Sequence, residues 1–281
     1  MQTSYTFDSG KPGKNILIIW SIHGDEICGS IAIERVREDI LCWHIRLISG
    51  KITCIPYANH EAYMVKKRQI THNLNRIFWQ YFTWGIYDTA HDIENHILQS
   101  DFVFDLHSFS AWIDPFIFND HNTTEVNTII RNIPIKHIMM GWIDLYAWYE
   151  EFDTIGFAKK HSIPGITIEC GQHSDPNSIE VAYRSIIAVL HTLTIIHTKL
   201  ESLQEDQVWI SVDTIIRKKS DYTFSKEWKN FDPIKTNEPI GTCYAGKESI
   251  LSPYDGIIIM PNSSVEDWWE WCYLGKIITY P

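Results

Sequence analysis

Short apolar runs alternate with helical patterns through the first two-thirds of the chain, and that alternation confines it to an α/β fold. NILIIW (15–20) predicts a buried strand that opens into the loop SIHGDE, and EICGSIAIERVRED (26–39) predicts the helix that follows. HIRLISGKITCIPY (44–57) holds further strand material, HDIENHIL (91–98) is helical, and DFVFDLHSF (101–109) is a strand rich in aromatic and branched residues. PFIFN (115–119), KHIMMGW (136–142) and GITIEC (165–170) are further strands. The stretch 174–197 opens on a Ser-Asp-Pro cap and reads as one helix. The expected architecture is a mixed central sheet flanked by helices.

From about residue 205 the pattern changes. QVWISVDTIIRK, PIGTCYA, ESILSP, DGIIIM and YLGKIITY are short strand-like runs parted by Pro, Gly, Asn and Asp. The expected division is a catalytic α/β domain over 1–204 and a small all-β domain over 205–281. The tryptophans of DWWEWCYLG (267–275) are assigned to the core and packing of that β domain, with an exposed interface as the alternative.

Composition removes several function classes. No run of about eighteen apolar residues exists, so no membrane span is expected. The first fifteen residues are polar and unlike a signal peptide, which points to the cytoplasm. A formal charge of −11 over 281 residues argues against nucleic acid, whose phosphates need a broad basic surface. Six cysteines without a C-x-x-C pair fit reduced thiols packed as small hydrophobes, not a zinc ribbon or a disulfide framework.

What remains is small-molecule chemistry, and four places carry it. His23 and Glu26 form an H-x-x-E pair where a strand gives way to a helix, a place where ligands gather in such sheets. Alone, the pair is a weak signal and reads more readily as a surface imidazole and a helix-start carboxylate. FDLHS (104–108) then sets His107 at the end of another apolar strand. Two His, one Glu and an open position are the donor pattern of a catalytic Zn2+, one per chain. Asp105 lies two residues before His107 on the same side, able to orient a ligand histidine or to be simply structural. Glu169 sits within a strand of Ile and Thr, where an unpaired carboxylate is costly unless it has a role. Arg68 and Arg76, with Asn75 beside the latter, are the nearby cations, and Arg is the natural partner for a carboxylate; a solvated basic face is the alternative.

Taken in order, HGDE (23–26), the run from Arg68 to the N-L-N-R ending at Arg76, DLHS (105–108) and IECG (168–171) resemble the succinylglutamate desuccinylase and aspartoacylase family, a branch of the carboxypeptidase-like metallohydrolases. The resemblance covers nearly the whole chain, including an appended β domain. It implies zinc on His23, Glu26 and His107. Arg68 would polarise the scissile carbonyl and steady its oxyanion. Asn75 and Arg76 would hold the α-carboxylate of the amino-acid half, and Glu169 would shuttle the proton. The implied reaction is hydrolysis of the amide of a small N-acyl amino acid.

The sequence departs from aspartoacylases in 153–165, DTIGFAKKHSIPG, where those enzymes carry a Tyr and an Arg for a side-chain carboxylate. Lys159 or Lys160 stands in as the candidate clamp, and Gln172 and His173 as candidate pocket lining. Two alternatives stay open: a peptidase that trims a terminal residue, and a binding protein that kept the fold without the chemistry. Whether the chain forms a homo-oligomer is left open.

Overall fold

A computed structural model describes residues 4–146, 152–198, 206–244, 246 and 248–279. The chain runs through β1 (Tyr5–Asp8), β2 (Asn15–Ile19), α1 (Cys28–Leu41), β3 (Lys51–Ile55), α2 (His60–Met64), α3 (Ile86–Leu98), β4 (Phe102–Phe109), β5 (Phe116–Phe118) and α4 (Thr124–Asn132). It continues through β6 (His137–Met140), α5 (Trp142–Tyr146), α6 (Thr154–Lys160), β7 (Gly165–Gln172) and α7 (Pro176–Thr192). The remaining strands are β8 (Val208–Arg217), β9 (Tyr222–Phe224), β10 (Pro233–Ile234), β11 (Pro239–Cys243), β12 (Ser249–Leu251), β13 (Gly256–Ile259) and β14 (Glu270–Ile278). These elements form two compact units, Met1–Lys136 with Tyr149–Gln207, and His137–Trp148 with Val208–Pro281.

In the first unit the strand order is β1-β3-β2-β4-β7-β5. The inner strands β3, β2, β4 and β7 are parallel, and β1 and β5 join antiparallel. Strands covered on both faces need apolar residues at nearly every position. That is what NILII and FVFDLHSF provide: four of the five residues of β2 and seven of the eight of β4 are buried. Helix α1 packs on α7, which also meets α4 and β7, while α6 lies on β4 and β7 beside α3. The mixed sheet flanked by helices is the architecture expected from the alternation.

The exit from β2 is built around two unusual backbone features. Ser21 takes a positive φ of 56°, a region sparsely occupied by side-chain-bearing residues, and its hydroxyl lies 3.1 Å from that of Ser30. Just before it, the fully buried Trp20 lays its indole against Gly29 in the first turn of α1. A Cβ at position 29 would fall 1.7 Å from a ring carbon. The indole N–H donates to the carbonyl of Glu26. Trp20 and Gly29 therefore fix how the β2–α1 loop turns over the end of the sheet.

Several elements differ from expectation at their edges. The predicted helix over 174–197 ends at Thr192; Thr194 turns to a positive φ of 61°, and Ile196 pairs with Leu47 in an isolated bridge. Helix α3 starts at Ile86, earlier than HDIENHIL suggests. Strand β1 and the helices α2, α4, α5 and α6 add to the elements read from the sequence.

The second unit has β6 parallel to β8, with β8, β14, β13 and β10 following antiparallel. A three-stranded sheet, β12-β11-β9, completes it. Its core gathers Trp228, Ile234, Ile240, Ile258, Cys272 and Leu274. HIMMGW (137–142), expected in the first domain, groups here because β6 pairs along β8 from His137↔Val208 to Met140↔Ser211. With α5 included, the unit is not all-β. The expected boundary at Glu205 lies outside the described residues. The tryptophan cluster divides: Trp271 is buried and stacked on Phe224 at 4.1 Å, whereas Trp268 and Trp269 are exposed.

All six cysteines are free. Among the described residues no helix is long and apolar enough to cross a membrane.

Candidate active site

Because β2, β4 and β7 run parallel, their carboxyl ends open on the same side of the sheet, and the sequence-predicted donors arrive there from three directions. His23 and Glu26 come from the loop after β2. His107 lies near the end of β4, and Glu169 on β7 is its direct partner across the ladder. Gly24 lets the loop lie close to α2: a Cβ there would come within 2.1 Å of the Ala62 backbone.

His23, Glu26 and His107 are all buried and form a group whose donor atoms lie within 4.8 Å of one another. The Glu26 carboxylate sits between the two imidazoles. His23 Nδ1 lies 2.7 Å from Glu26 Oε1, and His107 Nδ1 lies 3.0 Å from Glu26 Oε2. Both rings thus turn the same nitrogen inward. Their outward nitrogens are held by side-chain oxygens: His23 Nε2 is 3.1 Å from Asn73 Oδ1, and His107 Nε2 is 3.1 Å from Asp105 Oδ2. Asp105 is in turn bonded by the Thr154 hydroxyl.

The donor set fits a divalent cation. Asn73 Oδ1 already accepts from the Asn75 N–H, so it can only accept from His23, which places the His23 proton on Nε2. Burial lowers the His23 imidazole to about 4 despite the neighbouring Glu26, so at neutral pH the ring is uncharged. A lone pair on Nδ1 then faces a carboxylate oxygen at hydrogen-bond distance. Two acceptors at that separation repel unless a cation lies with them. His107 behaves differently: burial pulls it down, but Asp105 and Glu26 together outweigh that and hold it well above the usual imidazole range. Glu26, opposed by its own burial, is driven well below the carboxylate range by the two histidines. Oxygen and imidazole donors of this kind, buried and held from behind, suit zinc.

Glu169 is the carboxyl of the cluster that is raised toward neutral pH. Burial first, then the nearby Glu26 charge, push its carboxyl up to about 8, against the pull of His107 and Arg68. Its Oε2 is buried and has no hydrogen-bond partner. A carboxyl poised near neutral pH is suited to taking and returning a proton.

Arg68 is half-exposed, with a guanidinium nitrogen 3.5 Å from Glu26 Oε1, and its carbonyl accepts from the Gly24 N–H at 3.2 Å. Asn75 and Arg76 follow in a short 3-10 turn, Leu74–Arg76, capped by the Asn73 side chain. Arg76 donates to the Asn75 carbonyl at 2.8 Å, and Asn75 Oδ1 accepts from the Thr154 N–H at 3.4 Å. The structure therefore brings Arg68 to the donor group directly and ties the Asn75 turn to it through Asn73.

Residues not singled out from the sequence are Asn73, Ser108, Thr154 and Asp25. Asn73 was readable as part of N-L-N-R, but its bond to His23 spans fifty positions. The candidate clamp Lys160 instead holds its ammonium 4.0 Å above the Trp79 ring and 4.8 Å from that of Phe152. Gln172 accepts from Ser174 at its own turn and donates to the Ser110 carbonyl. His173 bonds Ser108 at 2.8 Å.

Fold and site together define a class: an α/β protein with a buried, metal-competent His–Glu–His centre at the carboxyl ends of parallel strands. Residues 12–191 match the family model described as the succinylglutamate desuccinylase/aspartoacylase catalytic domain. The chain belongs to the succinylglutamate desuccinylase/aspartoacylase family.

No curated protein sequence matches it. Among solved structures it is similar to a succinylglutamate desuccinylase/aspartoacylase from Rhodobacter sphaeroides, with a TM-score of 0.79 at 15% identity, covering 99% of this chain and 89% of that one. It is also similar to the product-bound ectoine utilization protein EutE (DoeB) from Ruegeria pomeroyi, with a TM-score of 0.77 at 14% identity over 97% and 88% of the two chains. A third is a succinylglutamate desuccinylase from Vibrio parahaemolyticus, with a TM-score of 0.75 at 17% identity over 95% and 82%. At these identities the likeness is one of fold.

Proposed function

We propose that the chain is a zinc-dependent hydrolase of the cytoplasm that cleaves the amide bond of an N-acyl amino acid. The observation that carries this reading is the buried His23–Glu26–His107 group with Glu169 paired directly across from His107. Membership of a family of deacylases supports the reaction class, and free thiols suit a reducing compartment.

His23, Glu26 and His107 would hold the zinc ion. When bound, that ion supplies an acidified water and draws electron density from a carbonyl. Glu169 takes the water's proton as the nucleophile attacks and returns it to the amide nitrogen as the amine leaves, leaving the carboxyl as it began. Arg68, the cation beside Glu26, steadies the negative charge on the carbonyl oxygen. Asn75 and Arg76 hold the α-carboxylate through paired hydrogen bonds. With Lys160 engaged on two aromatic rings, Lys159 is left as the candidate clamp for a second carboxylate on the substrate.

The test is release of free amine from a panel of acetyl, formyl and succinyl amino acids, with dipeptides alongside and with and without a chelator. Chelator-sensitive turnover of an acyl amino acid is expected. In Glu169→Gln, zinc content should stay at the wild-type level while kcat falls about a hundredfold or more, the size general acid–base catalysis typically contributes. Near-normal turnover in that variant, or turnover of dipeptides alone, would overturn the reading.

A further inference from the structure

Past the His107↔Glu169 pair the β4–β7 ladder slips. Phe109 pairs with Gln172, so β7 carries one extra residue where the two strands pass the site. Gly171 makes the bulge, with a positive φ of 113° and with Ser178 Oγ 2.8 Å from where a Cβ would stand. A bulge interrupts pairing and leaves backbone groups for other partners. One such group is the Ser108 N–H, which donates to Glu26 Oε2 at 3.1 Å, the same oxygen that His107 Nδ1 approaches. The peptide between His107 and Ser108 therefore aims at the carboxylate of the donor group.

One side chain holds that peptide in place from beyond the bulge. The His173 N–H donates to the Phe109 carbonyl at 2.9 Å, and His173 Nδ1 shares a 2.8 Å hydrogen bond with Ser108 Oγ. On the other side of its ring, His173 Nε2 lies 4.0 Å from Asp25 Oδ2, in the loop that carries His23 and Glu26. His173 thus reaches all three segments that build the centre: the end of β4, the bulged end of β7, and the β2–α1 loop. Ser108 is itself 1% exposed, which suits a structural tie and not an attacking hydroxyl.

We propose that His173 is a positioning residue: through Ser108 it fixes the backbone N–H that holds Glu26 between the two histidines, and it pins the bulge that follows the His107↔Glu169 pair. It is not one of the three residues that form the donor group. This inference rests on the proposed metal centre but concerns the chain's own geometry.

The experiment compares His173→Ala, His173→Asn and Ser108→Ala with the wild type. Zinc affinity is read by competition with a chromophoric chelator, and kcat and KM on the best acyl amino acid. Asn can place a polar atom where Nδ1 stands, so it should keep the bond to Ser108. His173→Ala should lose about tenfold to a hundredfold in zinc affinity, the range for removing a group behind metal ligands. It should lose kcat to a similar extent at little-changed KM. His173→Asn should recover most of both. Ser108→Ala should match His173→Ala, and the double variant should be no worse than either single one. Wild-type zinc affinity in folded His173→Ala would overturn the inference, as would additive losses in the double variant or no rescue by Asn. If the wild type binds zinc yet turns over no acyl amino acid, the functional reading falls while the affinity series still decides the role of His173.

Discussion

Glu169 shows how a single buried carboxyl ties stability to pH. Burial and the Glu26 charge raise it from the ordinary 4.5 to about 8 in the folded chain. Between those values the folded chain keeps a proton that the unfolded chain has released. The stabilisation is therefore fully present below about 4.5 and is lost as pH rises through about 8. Glutamine cannot ionise. With metal stripped away, the wild type should lose stability relative to Glu169→Gln as pH is raised from about 5 to about 8. Urea unfolding of both proteins across that window measures the difference, and a difference that stays flat would show that Glu169 ionises freely in the fold. His23 works in the opposite sense, its imidazole held down at about 4, but it is common to both proteins and cancels.

At the scale of elements, the start of α1 is set by packing, against local preference. Gly29 lies in the first turn of the helix, where alanine gains up to about 1 kcal/mol in intrinsic propensity. The Trp20 ring occupies the place of its Cβ. Overpacking a buried site typically costs about 1–3 kcal/mol, so sterics should win. Gly29→Ala is expected to lower the urea midpoint at unchanged slope, and a raised midpoint would refute the packing argument.

The same element also shows what could be read in advance. Apolar runs marked β2, β4 and β7 because strands buried on both faces leave no room for polar positions. His23, Glu26, His107 and Glu169 stood out as polar groups at or within those runs. The bulge at Gly171 is hidden, since it shows only in the register of two strands some sixty residues apart. Lys160 reads as free for a ligand because its partners Trp79 and Phe152 are distant in the chain or stand just before the helix whose far end carries it. The grouping of 137–146 with the second unit is not legible locally, because the partner strand, β8, begins some seventy residues later. Helix α6 was missed because seven residues of mixed polarity carry little period; its Asp153 cap, bonded to the Gly156 N–H at 2.6 Å, was the available signal.

At the scale of the whole molecule, the centre joins residues that are far apart along the chain, and it cannot exist until β2, β4 and β7 have paired. Such long-range pairing closes large loops before its contacts stabilise anything, which places assembly of the site late in folding. The two imidazoles and the carboxylate are then packed tightly enough to hold one another's charges. Asp105 and Glu26 hold the His107 imidazole well above its usual range, favouring a proton there, and burial beside the Glu26 charge raises Glu169 to about 8, favouring a second. A divalent cation entering the group needs the first nitrogen bare and makes the second proton unfavourable. Loading the centre is therefore also an acid release. In titration calorimetry near pH 7, the heat of zinc binding should shift with the ionisation enthalpy of the buffer, its slope reporting protons set free. A slope of zero would mean that the metal enters a group already stripped of them.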